Sequence, residues 1–318
     1  MPDVIALGEL LIDFVSTASG VSLAAAPAFK KAPGGAPANV AVGLAKLGVS
    51  SGFMGKVGDD PFGYFLSDTL SKHKVDVSAL LHSNEARTAL AFVSLRADGE
   101  RDFMFYRHPS ADMLYRSDEV DTSYIREAKI FHFGSISLIG EPSRSATLHA
   151  VEVAHQSELI VSYDPNLRLN LWPDERSAIE GIKVGWPLAH VIKVSQEELA
   201  FLSGTDDLIQ GARQLWHDDL RLLIVTKGRE GSTFVTKEFI REVPGFQVMA
   251  VDTTGAGDGF VAGLLKGLLA YPQAWEDARE LESICRYANV VGALTTTERG
   301  AIPALPTVGE VDEFLQRQ

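Results

Sequence analysis

Asp252-Thr253-Thr254-Gly255-Ala256-Gly257-Asp258 is the stretch of this chain whose residue types and spacing most directly suggest chemistry. Its small residues let a ligand approach the backbone N–H groups closely. Phe260, Val261, Leu264, Leu265, Leu268 and Leu269 follow at helical spacing, so those N–H groups open a helix. A helix start carries roughly half a positive charge and forms an anion site. Asp258 then stands where phosphate oxygens would be welcome, and a carboxylate there repels phosphate unless a metal or a transferable proton is involved. That conflict points to a base that takes a proton from a hydroxyl while the helix end steadies a transferring phosphoryl group. Two plainer readings stand beside it. Asp258 caps the helix, as Asp commonly does, or Gly257, Gly259 and Ala262 form a loose dinucleotide pattern, discounted because Asp258 would face a pyrophosphate. Val248, Met249 and Val251, ahead of the run, read as a buried strand.

The elements that must position this turn alternate between short β-rich runs and helical stretches. Val4-Ile5-Ala6-Leu7, Ile130-Phe131-His132-Phe133, Leu159 to Tyr163, Val191 to Val194 and Leu222 to Val225 have the rhythm of a doubly wound parallel sheet. Polar residues cluster after these strands: Asp164, Asn166 and Arg168, then Ser195 and Glu198, then Thr226, Lys227 and Gly228. Open α/β sheets bind ligands at that C-terminal edge. Asp13 falls just beyond the first strand by the same logic, as an acceptor for ligand hydroxyls or as a plain surface carboxylate. Pro33-Gly34-Gly35-Ala36-Pro37-Ala38-Asn39 reads as a tight turn entering a helix, with Asn39 in its first turn to hold a polyol or to cap locally. Residues 15–33 are poor in apolar positions, and Asp98-Gly99 is a hairpin signal between two strand-like runs. Together these predict a small sheet lying over the main domain. Arg107, Ser110 and Asp112 follow it and reach into the cleft beneath, or form a solvated surface pair.

The 318 residues suffice for one large α/β domain or a main domain with a small appendage, and no linker or repeat divides them into independent units. A formal net charge of −13 argues against non-specific nucleic-acid or membrane-surface binding. The one cysteine, Cys285, excludes an intrachain disulfide and fits a reducing compartment. Asp3, Glu9 and Asp13 interrupt the apolar N-terminal run, which is unlike a secretory signal, and a cytoplasmic location is expected. A Walker loop, zinc-ligand spacing and a serine-hydrolase elbow are all missing from the sequence.

With these pieces in view, the chain resembles the ribokinase/PfkB carbohydrate kinase family, and within it the fructokinases, over essentially its whole length. The resemblance is carried by residues 8–14, 33–41, Gly55-Lys56-Val57-Gly58-Asp59-Asp60-Pro61-Phe62-Gly63, 105–112, Ser162-Tyr163-Asp164-Pro165-Asn166-Leu167-Arg168, 252–258 and 300–307. It implies a ribokinase-like, mostly parallel sheet with helices on both faces, in a single domain 1–318 with a discontinuous β lid from about 14–33 and 87–110. It implies transfer of the ATP γ-phosphoryl group to the 6-hydroxyl of fructose, with Asp258 as general base and Gly255, Ala256 and Gly257 as anion hole. Asp13, Gly34, Gly35, Asn39, Arg107 and Arg168 would hold the sugar. Lys193, Glu198, Thr226, Gly228, Gly255, Gly257 and Asn289 would line the nucleotide, with Mg²⁺ reached through water from Glu198. A monovalent cation, K⁺ among the options, would bind near Asp252, Thr254 and Gly300, and the lid would make a homodimer. Rival readings are a kinase for 2-keto-3-deoxygluconate or ribose, and a non-catalytic sugar- or nucleotide-binding partner. Two positions depart from the family pattern. Ser195 replaces the Asn of Asn-x-x-Glu, and Gly259 replaces Ser or Ala, which should loosen the helix start by up to ~1 kcal/mol.

Overall fold

Uninterrupted apolar runs suit strands covered on both faces, and that is where the runs of this chain lie. The computed structural model describes residues 1–95 and 101–317. In chain order the strands are β1 (Val4–Leu7), β2 (Leu11–Ser16), β3 (Phe29–Gly34), β4 (Ser51–Gly58), β5 (Leu80–Ser83), β6 (Leu90–Leu95) and β7 (Arg101–Tyr106). There follow β8 (Ile130–Gly134), β9 (Ile160–Asp164), β10 (Val191–Ser195), β11 (Leu222–Thr226), β12 (Gly231–Val235) and β13 (Ile240–Pro244). The main sheet runs β13-β12-β11-β10-β9-β8-β1-β4-β5, and a second, smaller sheet runs β3-β2-β6-β7. From β11 across to β5 all neighbours pair parallel, while β12 and β13 fold back antiparallel at one edge.

Strand alternation sorts the side chains to two cores. Ile5 and Leu7 of β1, with Ile192 and Val194 of β10, pack on the side of helices Ser143–Gln156 and Glu175–Gly185. Val4 and Val191 point the other way, against helices Ala36–Lys46, Ala256–Ala270 and Ala278–Thr295. Both faces are therefore covered, as a parallel sheet requires. No helix among the described residues is long and apolar enough to cross a membrane.

Helix Ala36–Lys46 starts at Gly35, whose φ of 115° and the Glu9 carbonyl oxygen, 2.3 Å from where a Cβ would sit, leave room for glycine alone. At its other end the Lys46 ammonium donates to three carbonyl oxygens, of Ile302 (2.9 Å), Pro303 (3.2 Å) and Leu305 (2.7 Å).

Two expectations need correction. The lead-in to the Asp252 turn is no buried strand: residues 245–251 lack regular structure, and Met249 and Val251 are 87% and 56% exposed. The backbone there is satisfied by a helix end instead of a ladder, with Val251 N and Asp252 N donating to Thr296 O at 2.7 and 3.1 Å. Asp13 lies within β2 of the small sheet, opposite Ala32 and Ala91, rather than in a loop off the main sheet. The chain crosses from β1 into the second sheet within three residues, so the apparent strand end is a change of sheet. The Asp98-Gly99 turn lies outside the described residues.

Candidate active site

Gly255, in the left-handed region at φ 80°, precedes helix Ala256–Ala270 and places Asp258 in its first turn. The Asp258 carboxylate does not cap that helix. Its Oδ2 accepts from Asn39 Nδ2 at 2.8 Å, and Oδ1 accepts from Asn166 Nδ2 at 3.4 Å. Asn39 likewise is no local cap, and its Oδ1 is a buried acceptor without a partner. Burial is the largest influence on Asp258 and raises its carboxyl to about 6. The Asn39 hydrogen bond opposes the rise, the Asp164 charge adds to it, and Lys193 and Arg168 oppose it. A carboxylate raised by burial toward neutrality is what a proton acceptor near physiological pH needs.

Lys193, in the middle of β10, pairs with Asp164 at the end of β9, Nζ to Oδ2 3.1 Å, and both are buried. Burial alone would lower the Lys193 ammonium. The Asp164, Glu198 and Asp258 carboxylates outweigh it and hold the group above the usual lysine range. Its Nζ lies 3.0 Å from where a Cβ on Gly257 would be, so the cation sits beside the glycine turn. Glu198 is committed locally: Oε2 accepts from Ser195 N at 2.8 Å and Oε1 from Leu167 N at 2.7 Å. Ser195 Oγ accepts from Glu198 N at 3.1 Å, completing a capping box on helix Gln196–Ser203. Ser at this position thus keeps the cap that an Asn would make. Thr226 stands opposite Ser195 at the same sheet edge, and the chain beside Gly228 is open.

On the other wall, the Asp13 carboxylate lies against Gly34, where an added Cβ would meet Oδ2 at 2.2 Å. Arg107 forms a buried ion pair with Asp112, which also accepts from Ser110 Oγ, so the alternative of a solvated surface pair fails. Glu9 Oε1 accepts from Ala36 N at 2.9 Å. Burial raises Glu9 to about 7, and the Arg107 and Asp112 charges act on it, linking that pair to the Gly35 turn. Arg168 is exposed. Asn289 donates to Val243 O (3.1 Å) and Pro244 O (3.2 Å), fastening its helix to β13. Asp252 joins two loops: Oδ1 accepts from Thr254 N (3.0 Å) and Oγ1 (2.7 Å), and Oδ2 from Gly300 N (3.0 Å). Glu9 was not among the sequence-derived site residues, and Asp164, Asn166 and Asp112 stood there only as polar residues near the cleft, without a role. The Asp-Pro-Asn run after β9 and a carboxylate inside the apolar N-terminal run were the available signals.

The chain matches the pfkB family carbohydrate kinase over residues 1–308. It belongs to that family. It is 54% identical to the probable fructokinase-7 of Arabidopsis thaliana over 315 residues, 98% of this chain and 92% of that protein. It superimposes on the fructokinase of Xylella fastidiosa with bound ATP with a TM-score of 0.92 and 35% identity, over 100% of this chain and 99% of that one. A double-mutant fructokinase from Vibrio cholerae O395, in fructose-, ADP- and potassium-bound form, gives a TM-score of 0.89 and 36% identity over 99% and 98%.

Within this pfkB carbohydrate kinase the glycine at 259 has a packing cause. A Cβ there would lie 2.5 Å from Thr295 Oγ1 on the neighbouring helix. Gly259→Ala should therefore not deliver the ~1 kcal/mol of helix propensity. The expected result is an unchanged or lower Tm by thermal melt, while the same substitution made in a Thr295→Ala background should raise Tm relative to Thr295→Ala alone. The donor groups also bear on metals. Among the described residues no three His, Cys, Asp or Glu converge as a metal cage. Each Glu198 oxygen accepts one backbone N–H and keeps a lone pair, which suits a water placed between it and a Mg²⁺ ion. In the Asp252, Thr254 and Gly300 cluster the carboxylate oxygens accept from two N–H groups and one hydroxyl, so the loop at Gly300 is fastened to the turn by hydrogen bonds.

Proposed function

We propose that this chain transfers the γ-phosphoryl group of ATP to the 6-hydroxyl of fructose. The observation that carries the reading is the buried Asp258, free of any capping duty and held by two amides beside a helix start. Asp258 Oδ takes the proton of the attacking hydroxyl; the oxygen–phosphorus bond forms as the bond to the ADP oxygen breaks. Charge on the migrating group meets the N–H groups of Gly255, Ala256 and Gly257, the Ala256 N–H giving up its 3.3 Å bond to Thr253 O, with the Lys193 ammonium alongside. Asn39 gives its amide hydrogen to Asp258 and keeps Oδ1 to accept from a sugar hydroxyl. Asp13, Gly34, Gly35, Arg107 and Arg168 complete the sugar wall. Thr226 and Gly228 flank the nucleotide, Glu198 would hold Mg²⁺ through a water, and Asn289 acts by holding β13. When bound, Mg²⁺ supplies charge neutralisation on the phosphates. K⁺ near Asp252, Thr254 and Gly300 would steady the turn from behind.

The small sheet serves as the lid that keeps out water, a competing phosphoryl acceptor. Val15, Met104 and Tyr106 are exposed on it, which suits a homodimer formed through the lid. The Arg107 charge is already matched by Asp112, so a neutral ketose is favoured over an acid sugar. ADP release with fructose, glucose, ribose, ketodeoxygluconate and no sugar tests the assignment; strong preference for the acid sugar overturns it. A pH series on the same assay should show kcat/KM falling below about pH 6 as one proton neutralises Asp258. A profile flat down to pH 5 would remove Asp258 from the role of base.

A further inference from the structure

The segment Gly55 to Gly63 has no part in the phosphoryl transfer described above, yet it is tied to the lid by buried hydrogen bonds. Asp60 caps helix Pro61–Lys72, its Oδ1 accepting from Phe62 N and Gly63 N, both at 2.9 Å. A cap needs no more. The same carboxylate also crosses to the chain just ahead of β6. Oδ1 accepts from Thr88 Oγ1 at 2.9 Å, and Oδ2 accepts from Thr88 N at 2.8 Å. Thr88 Oγ1 in turn accepts from Gly58 N at 3.0 Å, closing a ring whose members are buried or nearly so. The glycines fit this ring. A Cβ on Gly58 would lie 2.5 Å from Thr88 N, and one on Gly63 would lie 2.0 Å from Gly58 O.

What hangs on Thr88 is the sugar wall. Ala89 O accepts from Ile12 N at 3.0 Å, β6 begins at Leu90, and the β2–β6 register sets Ala91 opposite Asp13. On the far side Ala111 N donates to Arg87 O at 2.9 Å, tying the segment of the Arg107–Asp112 pair to the same point. The buried Lys56 pins that segment further on, donating to Leu114 O at 3.1 Å and pairing with Glu119. We infer that Asp60 and Thr88 are positioning residues for sugar binding: their ring mounts the lid on the main sheet and sets Asp13 and Arg107 against the Asn39–Asp258 pair. This rests on the phosphotransfer reading of the cleft. A ring serving only the helix would lower stability when broken and leave sugar affinity alone.

Thr88→Val keeps the side-chain shape without the hydroxyl, Thr88→Ser keeps the hydroxyl, and Asp60→Asn removes one acceptor. Steady-state kinetics on these variants and wild type, with hydrogen exchange on the sugar-free proteins, tests the inference. Thr88→Val and Asp60→Asn should raise the fructose KM by about tenfold, keep the ATP KM within about twofold and increase ATP hydrolysis without sugar. Amides of β2 and β6 should lose exchange protection in both. Thr88→Ser should stay within about twofold of wild type throughout. A lower Tm with unchanged fructose KM in both disruptive variants overturns the inference, as does Thr88→Ser failing like Thr88→Val. If one disruptive variant does not fold, the other and Thr88→Ser decide. Wild type that phosphorylates no sugar sinks the phosphotransfer reading instead; unchanged β2 and β6 protection in the variants would then overturn the mount.

Discussion

Asp258→Asn is expected to lose turnover by about 10²–10⁴-fold and at the same time to melt at a higher temperature above pH 6. The first effect follows from removing the proton acceptor while keeping the side-chain shape, so fructose binding should survive. The second follows from linkage. The folded carboxyl sits at about 6 against an ordinary 3.8, so the native state holds its proton more tightly than the unfolded chain does. That contribution is present at low pH and is lost as pH rises from about 4 through 6, where the buried group must ionise. Above that window the wild type carries a charge penalty on the order of 3 kcal/mol, from a gap of roughly two units at about 1.4 kcal/mol each. Asn carries none of it, and the Asn39 side chain can turn its unpartnered Oδ1 toward the new amide. Melts at pH 4 and pH 8 beside initial-rate assays check both halves. Turnover within about tenfold of wild type, or a Tm difference independent of pH, would refute the assignment.

Lys193→Met should be damaging in a different way. It strands Asp164, a buried carboxylate, without its cation, a change that typically costs about 3–5 kcal/mol. It also withdraws one of the positive charges that restrain Asp258, so the Asp258 carboxyl should rise further and the acid limb of kcat/KM should move to higher pH. A variant that has merely lost stability would melt early but keep the wild-type limb. The double variant Lys193→Met with Asp164→Asn removes the stranded charge and should recover much of the Tm without recovering phosphoryl transfer. An unchanged Tm together with an unchanged limb in the single variant would mean that the pair matters to neither.

The sequence made the glycine turns and the parallel strands legible because both depend on local rules. Apolar runs mark covered strands, and Gly35 and Gly255 stand where the backbone takes a left-handed or crowded conformation. What it concealed depends on distance along the chain. Asn39 and Asp258 are 219 residues apart, and whether Asp258 caps its helix or holds an amide is decided by that contact alone. The Asp164–Lys193 pair was hidden in the same way, since a charge reads alike whether paired or free; the Arg107–Asp112 pair was foreseeable at five residues' spacing, and what residue type did not show was its burial. The apolar Val248 to Val251 run misled because a strand needs a partner edge, and here the backbone bonds to a helix end instead. Asp13 was misplaced because a change of sheet after Leu7 leaves no mark in residue type. Gly259 looked like a weak helix position, but Thr295 supplies its reason from another helix.

The grip of Lys46 has a mechanical outcome. One helix, eleven residues long, carries in its first turn the Asn39 amide that would steer the acceptor alcohol in the proposed reaction, and at its end the ammonium that clasps the carbonyls of Ile302, Pro303 and Leu305. Ala301, which opens the short helix Ala301–Ala304, abuts Gly255. Midway, Gly43 rests against Ala262 on the rod bearing Asp258. On the proposed phosphotransfer, the amide steering the attacking oxygen and the turn receiving the phosphorus would therefore both be gauged from one common beam.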